Sequence, residues 1–157
     1  MIKMEPLFCR ENRCRNAHSL PFNNYYRTDG THPVIILTST VLVELKRGIL
    51  SARFFLMHEL GHYYYGHLEQ PPTLEDEFLK RKAALSRGIV PQEELEADCF
   101  AVRCLGAENV RLALQEEMEK RMAYDLMCGV ASDPISELAL REYQLRLDAI
   151  CTDTLDI

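Results

Sequence analysis

The amino-acid sequence predicts an α+β fold that is mostly helical, with a small N-terminal β-sheet. Residues 34–38 read Val-Ile-Ile-Leu-Thr, a short β-branched run after a proline that is typical of a strand. From residue 41 onwards, apolar residues recur at helical spacing, and glycines follow several of the helical segments. The chain has 157 residues, 47% of them hydrophobic, which suits a single domain with its own core.

Residues 1–33 are predicted to be an irregular N-terminal segment of that domain. Prolines, paired asparagines and the turn signal Asp29-Gly30 interrupt this stretch. Residues 22–27 can form a short strand, which would turn through residues 28–31 into the strand at 34–38. A small sheet near the N-terminus follows from this pairing.

Two helices are predicted in the next part of the chain. A short helix covers residues 41–47, and Gly48 ends it. A longer helix covers residues 52–65, with Ser51 as its N-cap and Gly66 as its stop. Because apolar residues surround the longer helix, we expect it to be buried on most sides.

The connector over residues 67–92 contains a polar, amphipathic helical pattern at 74–86, between breaks that contain prolines. It either covers a site as a flap or makes a solvated excursion, and its charged composition favours the excursion. Three more helices are predicted after it, at residues 93–105, 108–128 and 134–150. The tail from Thr152 is expected to fray.

Charge and hydropathy limit the classes of partner and the compartment. The net charge is −6, divided into +3 over residues 1–50 and −9 over residues 51–157. An acidic C-terminal two-thirds argues against direct binding of nucleic acid. No apolar run approaches the roughly 18 residues of a membrane helix, and the N-terminus lacks the apolar region of a secretory signal. We therefore expect a cytoplasmic protein without a membrane segment, in which the six cysteines are free thiols.

The motif His58-Glu59-Leu60-Gly61-His62 lies in the longer, apolar helix. Residues four apart share one helix face, so His58 and His62 can aim two imidazoles at one point. Glu59 is close enough in the helix to reach a water molecule held there. Two neutral nitrogen ligands, an open position for water and a nearby carboxylate are what a hydrolytic zinc site requires. The motif therefore predicts that His58 and His62 bind Zn²⁺ and that Glu59 is the general base.

A catalytic zinc ion usually has a third protein ligand, and two regions of the sequence could supply it. His67 lies at the end of the same helix and is expected to point away from the face shared by the two histidines. The other region is the acidic start of the helix at 93–105, which contains Glu93, Glu94, Glu96 and Asp98.

Glu94 is the preferred third ligand, because Asp98 follows it by one helical turn on the same face. Asp98 could then accept a hydrogen bond from the free ring nitrogen of a ligating histidine and fix its orientation. Glu93 is the nearer rival, and Glu96 is expected to face elsewhere. Without a metal, such a cluster is simply a solvated helix start, where carboxylates are common.

A second group of potential ligands is Cys9, Cys14 and His18, with the spacing C-x4-C-x3-H. A structural zinc site would need a fourth ligand, which is not evident. Ordinary thiols are the preferred interpretation.

The motifs together resemble zincins whose third ligand is a glutamate, and most closely the ImmA/IrrE family of small cytoplasmic metallopeptidases. In that family a strand and a short helix precede an H-E-L-G-H helix, and a helix of the form E-x-E-A-[ND]-x-F-A follows later. Here the later helix reads Glu-Leu-Glu-Ala-Asp-Cys-Phe-Ala over residues 94–101. The resemblance spans about residues 34–105.

The resemblance implies a minimal zincin fold, in which the HExxH helix packs on the glutamate helix. The single domain, 1–157, would then have a catalytic core at 34–105 and C-terminal helices at 106–151. His58, His62 and Glu94 are the implied zinc ligands, Glu59 the implied general base, and Asp98 the implied hydrogen-bond partner of a ligand. The family often has asparagine where Asp98 stands.

The function expected from the resemblance is zinc-dependent cleavage of a regulatory protein. Family members commonly cleave or antagonise helix-turn-helix repressors in phage, mobile-element or stress circuits. The alternative is a non-catalytic zinc-containing module that sequesters a repressor or toxin, and the presence of Glu59 favours the enzyme. A helical protein with a chance motif and no metal is a third interpretation. The sequence does not name the residue that stabilises the oxyanion.

Overall fold

The computed structural model describes residues 3–7, 25–28, 33–67, 74–131 and 133–151. The elements in chain order are β1 (Lys3–Leu7), β2 (Tyr25–Thr28), β3 (Pro33–Thr38), α1 (Ser39–Lys46), α2 (Leu50–Tyr65), α3 (Leu74–Ser86), α4 (Gln92–Leu105), α5 (Ala107–Met127) and α6 (Pro134–Cys151). The predicted turn at Asp29-Gly30, the group of Cys9, Cys14 and His18, and the tail from Thr152 lie outside the described residues.

The predicted α+β class is wrong, because the described part of the chain is mostly helical. Its six helices are 8 to 21 residues long, whereas its strands have 4 to 6 residues. These strands form one small sheet, in which β3 lies between parallel β1 and antiparallel β2. A sheet of so few and such short strands does not form a packed layer of its own. The main core and the candidate site are built from helices alone.

The main core lies between α2, α4, α5 and α6. Its buried members are Phe54, Ala101, Val102, Val110, Ala113, Leu114, Leu147 and Ile150. A second, smaller core joins β3 and α1 to α2 through Ile35, Leu37, Val41 and Ala52. Since α2 contributes to both cores, it is buried on most sides, as its all-round apolar sequence indicates. No described helix combines the length and the apolar character needed to cross a membrane.

The start of α2 differs from the prediction. The helix begins at Leu50, so Ser51 lies inside it, and the N-cap position belongs to Ile49 without a side-chain cap. The Ser51 hydroxyl is buried and accepts a hydrogen bond from Lys120 Nζ of α5 at 3.0 Å. Ser51 therefore joins two helices, and its predicted capping role is wrong.

The connector helix α3 packs against α6 and is not a solvated excursion. Leu85 is fully buried, and its carbonyl oxygen accepts a hydrogen bond from Arg141 Nε at 2.7 Å. Arg81 donates through Nε to Glu142 Oε2 at 2.7 Å and through Nη2 to Glu142 Oε1. The polar sequence of α3 did not indicate this contact with α6, because charged groups rather than an apolar stripe provide much of it.

Gly61 allows α2 and α4 to approach each other closely. A Cβ atom at this position would lie 2.8 Å from Ala97 Cα, 2.9 Å from Ala97 O and 3.0 Å from Phe100 Cβ. Two of these atoms belong to the backbone of α4, so a side-chain rotation cannot relieve the clash. The glycine between the two motif histidines thus brings the helix with the histidines against the helix with Glu94.

We expect Gly61→Ala to destabilise the protein by about 1–3 kcal/mol, the usual cost of overpacking a close contact. The expected change in the free energy of unfolding is opposite in sign to the effect of helix propensity. At an ordinary helical position, propensity would favour alanine by up to about 1 kcal/mol. Urea denaturation of both proteins measures the difference. An unchanged or higher midpoint would show that the two helices are not held this closely.

Candidate metal centre

The two motif histidines of α2 and Glu94 of α4 meet at one place. His58 Nε2 lies 3.1 Å from His62 Nε2 and 3.2 Å from Glu94 Oε2. His62 Nε2 lies 3.9 Å from Glu94 Oε1. Helical spacing places the histidines on one face, and the close packing at Gly61 brings the first turn of α4 against that face.

The donor set fits a zinc ion. One ligand atom from each of these three residues lies within 4.8 Å of the other two, and no other such group was found in the part of the chain that the structure describes. In a tetrahedral zinc centre, nitrogen and oxygen ligands lie about 2.0–2.2 Å from the metal, so they are about 3.3 Å from one another. The observed separations bracket that value, and two imidazoles with one carboxylate leave a fourth position for water.

Glu59 is buried at 5% exposure and follows His58 directly in α2. A buried carboxylate is costly unless neighbouring groups stabilise it. Its place in α2, directly after His58 in the sequence, is the one in which the HExxH motif has the proton acceptor for a bound water molecule.

The charge states of the cluster follow from its surroundings. Burial and the neighbouring His58 lower the pKa of His62 to about 4, so this ring is neutral at pH 7. Burial and Arg146 lower the pKa of His58, but hydrogen bonds to Asp98 and Glu94 outweigh them and raise it to about 9. Burial raises the pKa of Glu94, yet Arg81 and His58 hold it well below its ordinary value. An ionised Glu94 therefore faces the two imidazoles.

Asp98 is the partner of His58 on the side away from the cluster. His58 Nδ1 donates to Asp98 Oδ1 at 2.9 Å, which leaves Nε2 facing Glu94 and His62. Burial raises the pKa of Asp98, but Arg146 and His58 lower it below its ordinary value overall. An ionised Asp98 thus fixes the orientation of His58, as the sequence suggested for a carboxylate at this position.

Arg146 of α6 was not found from the sequence. Its Nε and Nη2 donate to Asp98 Oδ2 and Oδ1 at 2.7 and 2.6 Å, and its Nη1 lies 3.7 Å from Glu94 Oε2. The guanidinium also lies over the ring of Phe54, 5.7 Å from its centroid. The side chain is only 8% exposed. The C-terminal helix is therefore part of the candidate site.

Arg81 of α3 approaches the same glutamate from the other side. Its Nη1 donates to Glu94 Oε1 at 3.3 Å, while its other nitrogens bind Glu142. Glu142 and Arg146 are four residues apart on α6, an i,i+4 pair of charges within an otherwise apolar helix face. That pair was the one sequence signal for a buried ionic cluster on this helix.

The other sequence candidates lie outside the ligand cluster. The Glu93 side chain is 48% exposed, and its Oε1 lies 4.0 Å from Lys80 Nζ. His67 lies on the far side of His62, where its Nδ1 is 2.9 Å from His62 Nδ1. Glu96 faces away from Glu94 and contacts His67. The group of Cys9, Cys14 and His18 is outside the described residues.

We compared the chain with known protein families, curated proteins and solved structures, and none of them matched. The resemblance to the ImmA/IrrE family therefore rests on the motifs and their spacing.

Protein groups make the hydrogen bonds of the site, so we expect the protein to stay folded when a chelator is added. Among the described residues, every buried side-chain nitrogen and oxygen has a hydrogen-bond partner. Zinc would still stabilise the fold by mass action, by about 4 kcal/mol at a thousand times its Kd. Circular dichroism at 25 °C with a chelator should keep the helical signal, while the Tm falls. Loss of the helical signal on chelation would instead identify a structural zinc site.

Proposed function

We propose that this protein is a cytoplasmic zinc-dependent endopeptidase of the ImmA/IrrE type, which hydrolyses a peptide bond in a regulatory protein. The observation that carries the proposal is the meeting of His58, His62 and Glu94 within metal-binding distance, next to a buried Glu59. A purely structural zinc site would have no use for that carboxylate and would favour a fourth protein ligand.

The chemistry can be assigned to residues of this chain. A zinc ion bound by His58, His62 and Glu94 would lower the pKa of a water molecule and polarise the carbonyl group of the substrate. Glu59 takes the proton from that water as it attacks, and then gives the proton to the leaving amine. Asp98 and Arg146 keep His58 oriented, because they hold its Nδ1 side in a buried ionic network.

The proposed substrate is a protein, and the family resemblance favours a helix-turn-helix repressor. We do not expect direct binding to nucleic acid, because residues 51–157, which contain the site, carry a charge of −9. The second candidate is the module that binds such a repressor without cleaving it. The two differ in whether new protein N-termini appear.

In the experiment, purified protein is added to an extract of the cells that encode it. New protein N-termini are then labelled chemically and identified by mass spectrometry. Three samples are compared: the zinc-loaded protein, the same protein with a chelator, and the chelated protein with zinc restored. New N-termini that depend on zinc support the endopeptidase and identify its substrate. A stable complex with an intact repressor, without new N-termini, would overturn the enzymatic proposal and leave the binding module.

A further inference from the structure

The second nitrogen of His62 has a partner that the proposed mechanism does not use. His62 Nδ1 lies 2.9 Å from His67 Nδ1, and His67 Nε2 lies 2.7 Å from Glu96 Oε2. The His67 side chain is 9% exposed, whereas that of Glu96 is 37% exposed. A line of hydrogen bonds therefore runs from the surface of α4 to one of the three ligand residues.

The positions of the protons on this line follow from counting donors. An ionised carboxylate only accepts hydrogen bonds, so His67 Nε2 must carry a proton and donate it to Glu96. His62 Nε2 is the atom that faces His58 and Glu94, so His62 would bind a metal ion through Nε2. Binding through Nε2 requires the ring proton of His62 to be on Nδ1, which then donates to His67 Nδ1.

We propose that His67, held by Glu96, is a positioning residue that fixes the tautomer and orientation of His62 for metal binding. The inference rests on the proposed metal site and adds a role for two residues on its outer side. It gives His62 the kind of support that Asp98 gives His58. The two supports differ chemically, because His58 donates to a buried carboxylate and His62 donates to an imidazole.

The end of α2 explains how His67 reaches this place. The helix stops at Gly66, whose φ of 70° is left-handed. The Gly66 N–H bonds to Tyr63 O at 3.2 Å, and the His67 N–H bonds to His62 O at 3.1 Å. These two bonds form a Schellman motif, which folds the chain back over the last turn. The His67 ring then stacks on Tyr65 at 5.7 Å between centroids and meets His62.

The first test measures the tautomer of His62 in the metal-free protein, by long-range proton–nitrogen NMR of ¹⁵N-labelled histidines. The inference predicts a proton on His62 Nδ1 and on His67 Nε2 at neutral pH. In His67→Ala, the single His62 tautomer should be lost or become mixed. A wild-type His62 with its proton on Nε2, or an unchanged His62 in the variant, would overturn the inference without affecting the proposed zinc ligands.

The second test measures zinc affinity by competition with a chelator of known Kd. His67→Ala should weaken zinc binding about 10- to 100-fold, as removal of such partners does in other zinc sites. His67→Asn should recover part of the loss, because its amide oxygen can accept the proton of His62 Nδ1. If Ala and Asn have equal effects, or if neither changes the affinity, the hydrogen bond has no positioning role.

Matched variants control for charge and for backbone strain. Glu96→Ala should weaken zinc binding, and Glu93→Ala, which removes the same charge from the same helix turn, should not. Gly48 and Gly66 both have left-handed φ values, of 74° and 70°, with open space around them. Alanine should cost similar stability at both, and only Gly66→Ala should weaken zinc binding. A wild-type protein that binds no zinc would refute the proposed function itself, whereas equal effects within each pair would refute this inference alone.

Discussion

Replacement of Glu59 by glutamine is expected to lower the rate of peptide hydrolysis by about 10²- to 10⁴-fold, the range typical of a general acid–base group. Glutamine keeps the shape of the side chain but cannot take a proton from water. Glu59 is buried and directly follows His58 in α2, and the proposed mechanism uses it as the proton acceptor. Turnover of the substrate found by N-terminal labelling measures the effect.

Glu117→Gln provides the control for Glu59→Gln. Glu117 is also a buried helical glutamate, but it lies on α5 and accepts a hydrogen bond from Lys120 at 2.9 Å. We expect this variant to retain turnover, and both variants to keep the zinc content of the wild type. If Glu59→Gln hydrolyses the substrate at the wild-type rate, another group must be the base.

Arg146→Met is expected to produce the largest loss of stability, about 3–5 kcal/mol, which is typical when one partner of a buried ion pair is removed. Asp98 would remain as a buried carboxylate without the bidentate partner that it now has at 2.6 and 2.7 Å. The volume of the side chain changes little, so the effect reports mainly on charge. Urea denaturation of the metal-free proteins measures it without a contribution from zinc.

Arg111→Met is the matched comparison for Arg146→Met. Arg111 also contacts a carboxylate at 2.7 Å, that of Glu108, but this pair lies at the surface of α5. Exposed pairs contribute little to stability because water and salt screen them. We expect a much smaller loss of stability for Arg111→Met. Equal losses for the two variants would show that the Asp98–Arg146 pair is not buried as described.

Local sequence patterns predicted the parts of the site that depend on helical spacing. His58 and His62 face one point because they are four residues apart, and Glu94 and Asp98 share a face for the same reason. The structure places all four residues around one cluster. The glycine signals at Gly48, Gly66 and Gly106 also correspond to helix ends.

The partners supplied by distant parts of the chain could not be predicted in this way. Arg81 and Arg146 reach the site because α3 and α6 pack beside it, and a single charged residue on a helix does not reveal its partner. His67 was expected to point away from the face shared by His58 and His62, and it does lie outside the ligand cluster, but its contact with the other side of the His62 ring was not predicted. His67 reaches His62 because the chain folds back at Gly66, which has the αL conformation. Sequence spacing alone does not predict where the side chain lies after such a turn.

The prediction of the fold class was wrong for a different reason. One clear strand at residues 34–38 led to an α+β prediction, but helices provide the main core and all the residues of the candidate site. A helix in which most faces are apolar, such as α2, needs neighbours on most sides. Here other helices provide most of these neighbours, and the small sheet lies against one side of α2.

The most direct test of the central claim is the zinc content of the purified protein, measured by elemental analysis without added zinc. Wild type is compared with His58→Ala and Glu94→Ala, and with Glu93→Ala as a control on the same helix. We predict about one zinc ion per chain in wild type and in Glu93→Ala, and none in the other two, since a catalytic site uses three protein ligands. No zinc in the wild type, even after reconstitution, would contradict the account, as would zinc retained without Glu94.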